Sequence, residues 1–290
     1  MGILEAIVYG VVQGVTEWLP ISSTAHLRIL PTVLGQPDPG AAFTAVIQLG
    51  TLLAVLIFFR KDLGSALGAW AKSLTNPEVR KTVEAKLGWG IFFGTIPIVV
   101  IGVLFQKHIK GELRSLWVVA FSLILMGLVM LAAEKFGRKD RSLDDVTVKD
   151  GLVVGAWQAI ALIPGMSRSG STISGALFSG FDRQTAARFS FLLSVPSVLA
   201  AGLKELIDER HNILGQNLVP VLVASLVSFV VGYWSIAFLI GFLQKRSTAT
   251  FVAYRIALGL ILIGLLMSGR LAPLDAAHAT TPPTATHVSP

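Results

Sequence analysis

The chain alternates long apolar runs with short charged segments. A helix needs about 20 apolar residues to cross a bilayer core of about 30 Å. Charge-free stretches of that order occupy 41–59, 87–105, 116–133 and 218–243. Two further spans are predicted over about 187–204, which contains Pro196, and about 251–268, whose single charge is Arg255. Two other apolar segments are broken. Residues 3–35 are interrupted by Glu17, Pro20 and the run Ser22-Ser23-Thr24-Ala25-His26. Residues 151–181 are interrupted by Pro164-Gly165 and by Ser167-Arg168-Ser169-Gly170-Ser171-Thr172. Each reads as two short helices joined by a polar turn, a hairpin that enters the membrane and returns on the same side. Irregular backbone at that depth survives only when buried in protein or lining a wet cavity. The expected fold class is an all-α polytopic membrane protein.

The broken segments align at an offset of 145 residues, pairing Gly10, Gln13, Ser22, Ala41 and Ala42 with Gly155, Gln158, Ser167, Ala186 and Ala187. A later match, 123–127 with 260–264, falls at an offset of 137. The chain therefore divides into two repeats, 1–135 and 150–270, each a re-entrant hairpin followed by three spans. Three is odd, so the second repeat is expected upside down relative to the first. Residues 271–290, rich in Thr, Pro and Ala, are expected to be a disordered tail.

Composition agrees with lipid as the solvent. Hydrophobic residues make up 53% and charged residues 14%, against roughly 25% charged in soluble domains, and mean hydropathy is +0.71. The net charge of +7 is explained by basic loops of a membrane protein, and no nucleic-acid partner is expected. The absence of cysteine excludes disulfides, thiolate chemistry and Cys-ligated zinc. The N-terminus lacks the basic start of a signal peptide, its first charge being Glu5, and is expected to be retained. Segments 60–86, 134–150, 182–188 and 244–250 hold 15 Lys and Arg, whereas 1–40, 106–115, 204–217 and 268–290 hold 7. That bias puts the first set and its loops inside and both termini outside. The first hairpin then enters from outside and the second from inside, and their tips can meet near mid-membrane.

Ionisable groups at membrane depth cost about 2.5–3.5 kcal/mol or more, so each needs a reason. Glu17 shares a helical face with Gln13, Gly10 and Gly14; its bland alternative is an ion pair joining two helices. His26 follows three hydroxyls and suits proton transfer or phosphate contact, although a lone histidine is usually structural. Ser22, Ser23 and Thr24 could cap a helix, and a cap and an anion site share the same physics. Pro164 to Thr172 sets one guanidinium among four hydroxyls at a helix start, where its fork matches phosphate oxygens; the alternative is an arginine reaching for an interface. The halves also differ chemically. Glu17 aligns with Leu162, His26 with Ser171, and Arg168 with Ser23, the division expected of one asymmetric site between them.

At these residues the chain resembles a known family. Gln13 with Glu17-Trp-Leu-Pro-Ile-Ser-Ser-Thr-Ala-His26, together with Pro164 to Thr172, is similar to the two motifs of bacitracin-resistance type undecaprenyl-diphosphate phosphatases, and the likeness extends to about residue 270. Ala25 departs from the glycine expected before the histidine. The resemblance implies a bacterial inner-membrane enzyme that converts undecaprenyl diphosphate to undecaprenyl phosphate. Inorganic phosphate would leave on the outer, periplasmic side. Such an enzyme recycles the carrier for peptidoglycan and confers bacitracin resistance. It implies magnesium or calcium, for which Gln13 and Glu17 are the candidate ligands. Arg168 with Ser22, Thr24, Ser167, Ser169 and Thr172 would hold the phosphates. Ser23 is the first choice of nucleophile with His26 as its proton acceptor; His26 itself and water are the rivals. The expected partners are the bilayer and the polyprenyl diphosphate, with a homodimer left open. The competing class is a transporter or flippase of a lipid phosphate or other anion, for which inverted broken helices are the usual architecture; a membrane scaffold is a weaker third.

Overall fold

A computed structural model of the protein describes residues 1–110, 113, 115–210 and 218–273. Of the tail expected over 271–290, residues 274–290 lie outside the described residues. Among the described residues the chain is helical apart from one isolated bridge between Arg141 and Phe181. The first broken segment forms α1 (Ile3–Trp18) and α2 (Ser23–Leu34), and is followed by α3 (Gly40–Phe58), α4 (Arg60–Ser73), α5 (Val83–Leu104), the short α6 (Gln106–Lys110) and α7 (Leu116–Phe136). The second broken segment forms α8 (Val148–Ile160) and α9 (Arg168–Phe178), and is followed by α10 (Arg183–Asp208), α11 (Leu218–Lys245) and α12 (Ala249–Met267).

The helix starts are written in the sequence. Thr82, Ser115, Thr147 and Asp182 stand at the N-caps of α5, α7, α8 and α10, each accepting a first-turn N–H through its side-chain oxygen. Helices α5, α7, α10, α11 and α12 are long and apolar enough to cross a membrane, and α3 joins them when taken with α4. The chain bends by 80° between α3 and α4, where Arg60, Lys61 and Asp62 end the apolar run. Large apolar side chains face outward along the spans, among them Phe121 (58% exposed), Leu226 (62%), Trp234 (69%) and Leu260 (58%). Patches of that size would aggregate in water and belong against lipid. The protein is a polytopic, multi-pass membrane protein.

The hairpins are held by close backbone contact rather than by large side chains. Helix α1 packs along α11, and α8 along α5. A Cβ at Gly10 would come within 2.6 Å of the Ala224 carbonyl, and one at Gly155 within 2.1 Å of the Gly94 carbonyl. These glycines therefore let α1 lie close against α11 and α8 against α5, as small residues do in membranes. Charged ends then gather. Arg188 binds Asp62, Arg183 binds Glu134, and the Thr248 hydroxyl donates to Glu134. All four segments grouped by their Lys and Arg content thus meet directly, through Asp62, Glu134 and their partners. At the other end of α3, Met1, Gln36, Asp38 and Glu209 border one cavity of about 300 Å³.

Candidate active site

Two helix N-termini define the site. Ser22 and Ser167 both adopt positive φ, 76° and 67°, a region uncommon for residues other than glycine. In that conformation each side chain turns back to accept from the third residue of its helix, Ser22 from Ala25 N at 3.3 Å and Ser167 from Gly170 N at 3.1 Å. Gly165, at φ 94°, makes the second turn possible: a Cβ there would meet the Val119 carbonyl at 2.7 Å. The two turns start α2 and α9, and such helix starts favour anions.

The tips meet. Ser169 Oγ donates to the Leu19 carbonyl at 3.1 Å, and Arg168 forms an ion pair with Glu17 through Oε1. The other Glu17 oxygen accepts from Gln13 Nε2 at 3.0 Å and from Ser23 Oγ at 2.7 Å. Glu17 is 6% exposed, so an unpaired charge there would be costly. The pairing matches the bland expectation for Glu17, yet two features exceed simple glue. Gln13 Oε1 is buried with no hydrogen-bond partner among the described residues, whereas buried polar oxygens are ordinarily satisfied. Beside the tips, Thr24, Leu27, Arg28, Asp38, Thr44, Gln48 and Pro164 surround a hollow of about 30 Å³, room for roughly one water-sized group. Arg28 and Asp38, 2.8 Å apart, both line it.

The candidate side chains meet these partners. Ser23 does not pair with His26: its hydroxyl is on Glu17, while the His26 ring nitrogens face the Ser22 carbonyl at 2.8 Å and the Tyr254 hydroxyl at 2.6 Å. Bonding of Nδ1 to a carbonyl fixes that nitrogen as the donor, so Nε2 accepts from Tyr254. The two rings stack, 6° from parallel. Thr172, expected on phosphate, is fully buried, and its hydroxyl goes to the Arg168 carbonyl and to Ser190 of α10. Ser22 and Ser167 act as caps, and Ser169 ties the tips. Thr24 alone of the expected phosphate-binding hydroxyls stays exposed beside the hollow. Sequence reasoning passed over Tyr254, although a polar residue beside Arg255 inside an apolar span was a usable signal. It also treated Arg255 only as a charge to be tolerated.

For a divalent ion, the donor set is Gln13 Oε1 and the Glu17 carboxylate. Among the described residues no trio of His, Cys, Asp or Glu gathers around a metal position. A hard ion that keeps most of its shell as water and substrate phosphate needs only one or two protein oxygens, and the orphaned Gln13 oxygen fits such an ion.

Fold and site together define a polytopic membrane protein whose two broken helical hairpins bring an acid, hydroxyls and a guanidinium to one buried junction. The chain belongs to the family described as Bacitracin resistance protein BacA, which it matches over residues 6–261. It is 49% identical over 282 residues to a protein named undecaprenyl-diphosphatase from Chlorobaculum tepidum, covering 94% of this chain and 100% of that one. Relatives of the same name from Myxococcus xanthus (49% over 275 residues, 95% and 93% covered) and Thermobifida fusca (47% over 278 residues, 96% and 95% covered) are similar along nearly their whole length.

Proposed function

We propose that this protein hydrolyses undecaprenyl diphosphate to undecaprenyl phosphate and inorganic phosphate, recycling a cell-wall lipid carrier in the bacterial inner membrane and thereby conferring bacitracin resistance. The observation that carries the reading is the junction of Glu17 and Ser23 from one hairpin with Arg168 from the other. A pyrophosphate concentrates negative charge, so cationic and N–H donors dominate its chemistry. Arg168, Thr24 and the N-termini of α2 and α9 hold the phosphate oxygens. Glu17 lies close enough to Ser23 to take its proton. Ser23 Oγ then forms a bond to the terminal phosphorus as the P–O bond to the lipid phosphate breaks, and the electron pair leaves with undecaprenyl phosphate. Water next attacks the phosphoserine, releasing inorganic phosphate and restoring the hydroxyl. His26, oriented by the Ser22 carbonyl and Tyr254, serves proton transfer at the phosphate. Gln13 and Glu17 hold magnesium or calcium, which when bound offsets charge on the phosphates.

We place the mouth of the site on the periplasmic side, supported by the hollow between Thr24 and Pro164 reaching Arg28 and Asp38, in the sparsely basic N-terminal segment. The two halves are read as inverted repeats, a reading supported by α1 on α11 and α8 on α5. Phosphate release from undecaprenyl diphosphate in detergent micelles tests the function. Sustained turnover by the wild type is expected; a flippase would leave the diphosphate intact there, and that outcome would sink the proposal.

A further inference from the structure

Arg255 lies in the interior of the α12 span and is completely buried. Among the described residues its guanidinium meets no carboxylate; its bonds go to main-chain carbonyls of three separate segments. Nε donates to Leu123 at 3.3 Å and Nη1 to Pro20 at 3.2 Å. Nη2 donates to Gly165 at 2.7 Å, Met166 at 3.3 Å and Ser122 at 3.4 Å. Pro20 belongs to the first hairpin tip, two residues before the Ser22 cap. Gly165 and Met166 belong to the second, directly before Ser167 and Arg168. Ser122 and Leu123 belong to α7.

Turn carbonyls in a buried, lipid-surrounded core need donors, and an apolar side chain would leave these without one. Only arginine has the chemistry to serve all three segments at once. Its planar fork carries five N–H groups in fixed directions, whereas lysine offers three from a single point. The charge that a membrane span ordinarily avoids is therefore retained for its donors.

We propose that Arg255 is a positioning residue for the hydrolytic site: by binding Pro20 on one tip and Gly165 and Met166 on the other, it sets how Glu17 and Ser23 meet Arg168. The inference rests on the proposed hydrolysis and adds a residue that touches neither lipid phosphate nor attacking group. A small misplacement of reacting groups from a distance can cost about 100-fold in rate.

The test uses the purified full chain in micelles, with kcat and KM for undecaprenyl diphosphate measured beside thermal stability for the wild type, Arg255→Lys, Arg255→Met and Gly259→Ala. In the Arg255 variants kcat is expected to fall about 100-fold per folded molecule, with KM within about threefold because the lipid tail and Arg168 remain. A purely structural role would lower stability and leave kcat of the folded fraction intact. Gly259→Ala keeps the guanidinium but wedges α12 from α7, since its Cβ would meet Ile124 Cγ1 at 2.6 Å and the Ala120 carbonyl at 2.9 Å; a loss of about tenfold in kcat is expected. An active wild type beside a folded Arg255 variant whose kcat is within about threefold overturns this inference alone. If neither Arg255 variant folds, an unchanged kcat in Gly259→Ala overturns it equally. A wild type that releases no phosphate overturns the proposed function and takes this inference with it.

Discussion

Ser23 Oγ lies 2.7 Å from one oxygen of Glu17, while the other oxygen of that carboxylate pairs with Arg168 from the opposite hairpin. One acid thus links the hydroxyl that would attack phosphorus to the guanidinium that would hold it. Glu17, rather than His26, is the group within reach of the Ser23 proton, and His26 is engaged on its far side by Tyr254.

Replacing Ser23 with alanine should lower kcat by at least about a thousandfold, the scale seen when a nucleophile is removed. Rapid quenching of the wild type with diphosphate labelled in its terminal phosphate should trap label on serine. Substantial residual turnover in Ser23→Ala, with no labelled protein in the wild type, would move the attack to water or to His26.

Tyr254→Phe removes the hydroxyl from His26 Nε2 but keeps the stacked ring. Because Tyr254 is 44% exposed, little burial is lost and the protein should stay folded. Turnover should fall by about tenfold, against about 100-fold or more for His26→Ala. Equal activity of Tyr254→Phe and wild type would show that the histidine needs no such support.

Gln13→Leu deletes the unpartnered carbonyl oxygen beside Glu17. The magnesium or calcium concentration giving half-maximal phosphate release should rise by about tenfold or more, as for loss of a ligand or its support. Chelation by EDTA should abolish turnover and re-addition restore it. An unchanged metal titration in Gln13→Leu would remove that residue from the ion's shell.

Asp150, in the first turn of α8, accepts both arms of Arg141 at 2.9 and 2.7 Å and the Thr147 N–H at 2.8 Å. Burial opposes its ionisation, but the bonds from Arg141 and Thr147 outweigh it and hold the carboxyl below its ordinary 3.8. A depressed carboxyl contributes stability that is fully present above its unfolded value and lost as pH falls through the folded one. Thermal stability in detergent should therefore decline below pH 3.8 partly through this group. Asp150→Asn should cost about 2 kcal/mol at neutral pH, reduced from a fully buried pair by the partial exposure of Arg141, and should flatten the acid limb. Parallel acid limbs in the two proteins would contradict the assignment.

Much of the fold was legible because membrane spans are long and chemically uniform. The apolar runs fall on α3, α5, α7, α10, α11 and α12, and the polar breaks after Trp18 and Ile160 coincide with the hairpin turns. Ser22 and Ser167, paired by the 145-residue offset, share one unusual conformation. Direction was harder to read. A serine or threonine at a helix start serves equally as cap, strut or ligand, and the Ser190 partner of Thr172 and the Tyr254 partner of His26 come from distant helices. Arg255 looked like a tolerated charge because its partners are backbone carbonyls, which carry no sequence signal at all.

A double-mutant cycle on Glu17 and Arg168 tests most directly whether the two tips form one hydrolytic site. Glu17→Gln and Arg168→Lys should each lower kcat/KM for undecaprenyl diphosphate by about 100-fold or more, and the double variant should be no worse than the weaker single, as for residues acting as a unit. Losses that multiply would mean that the acid and the guanidinium act independently, contradicting a shared site.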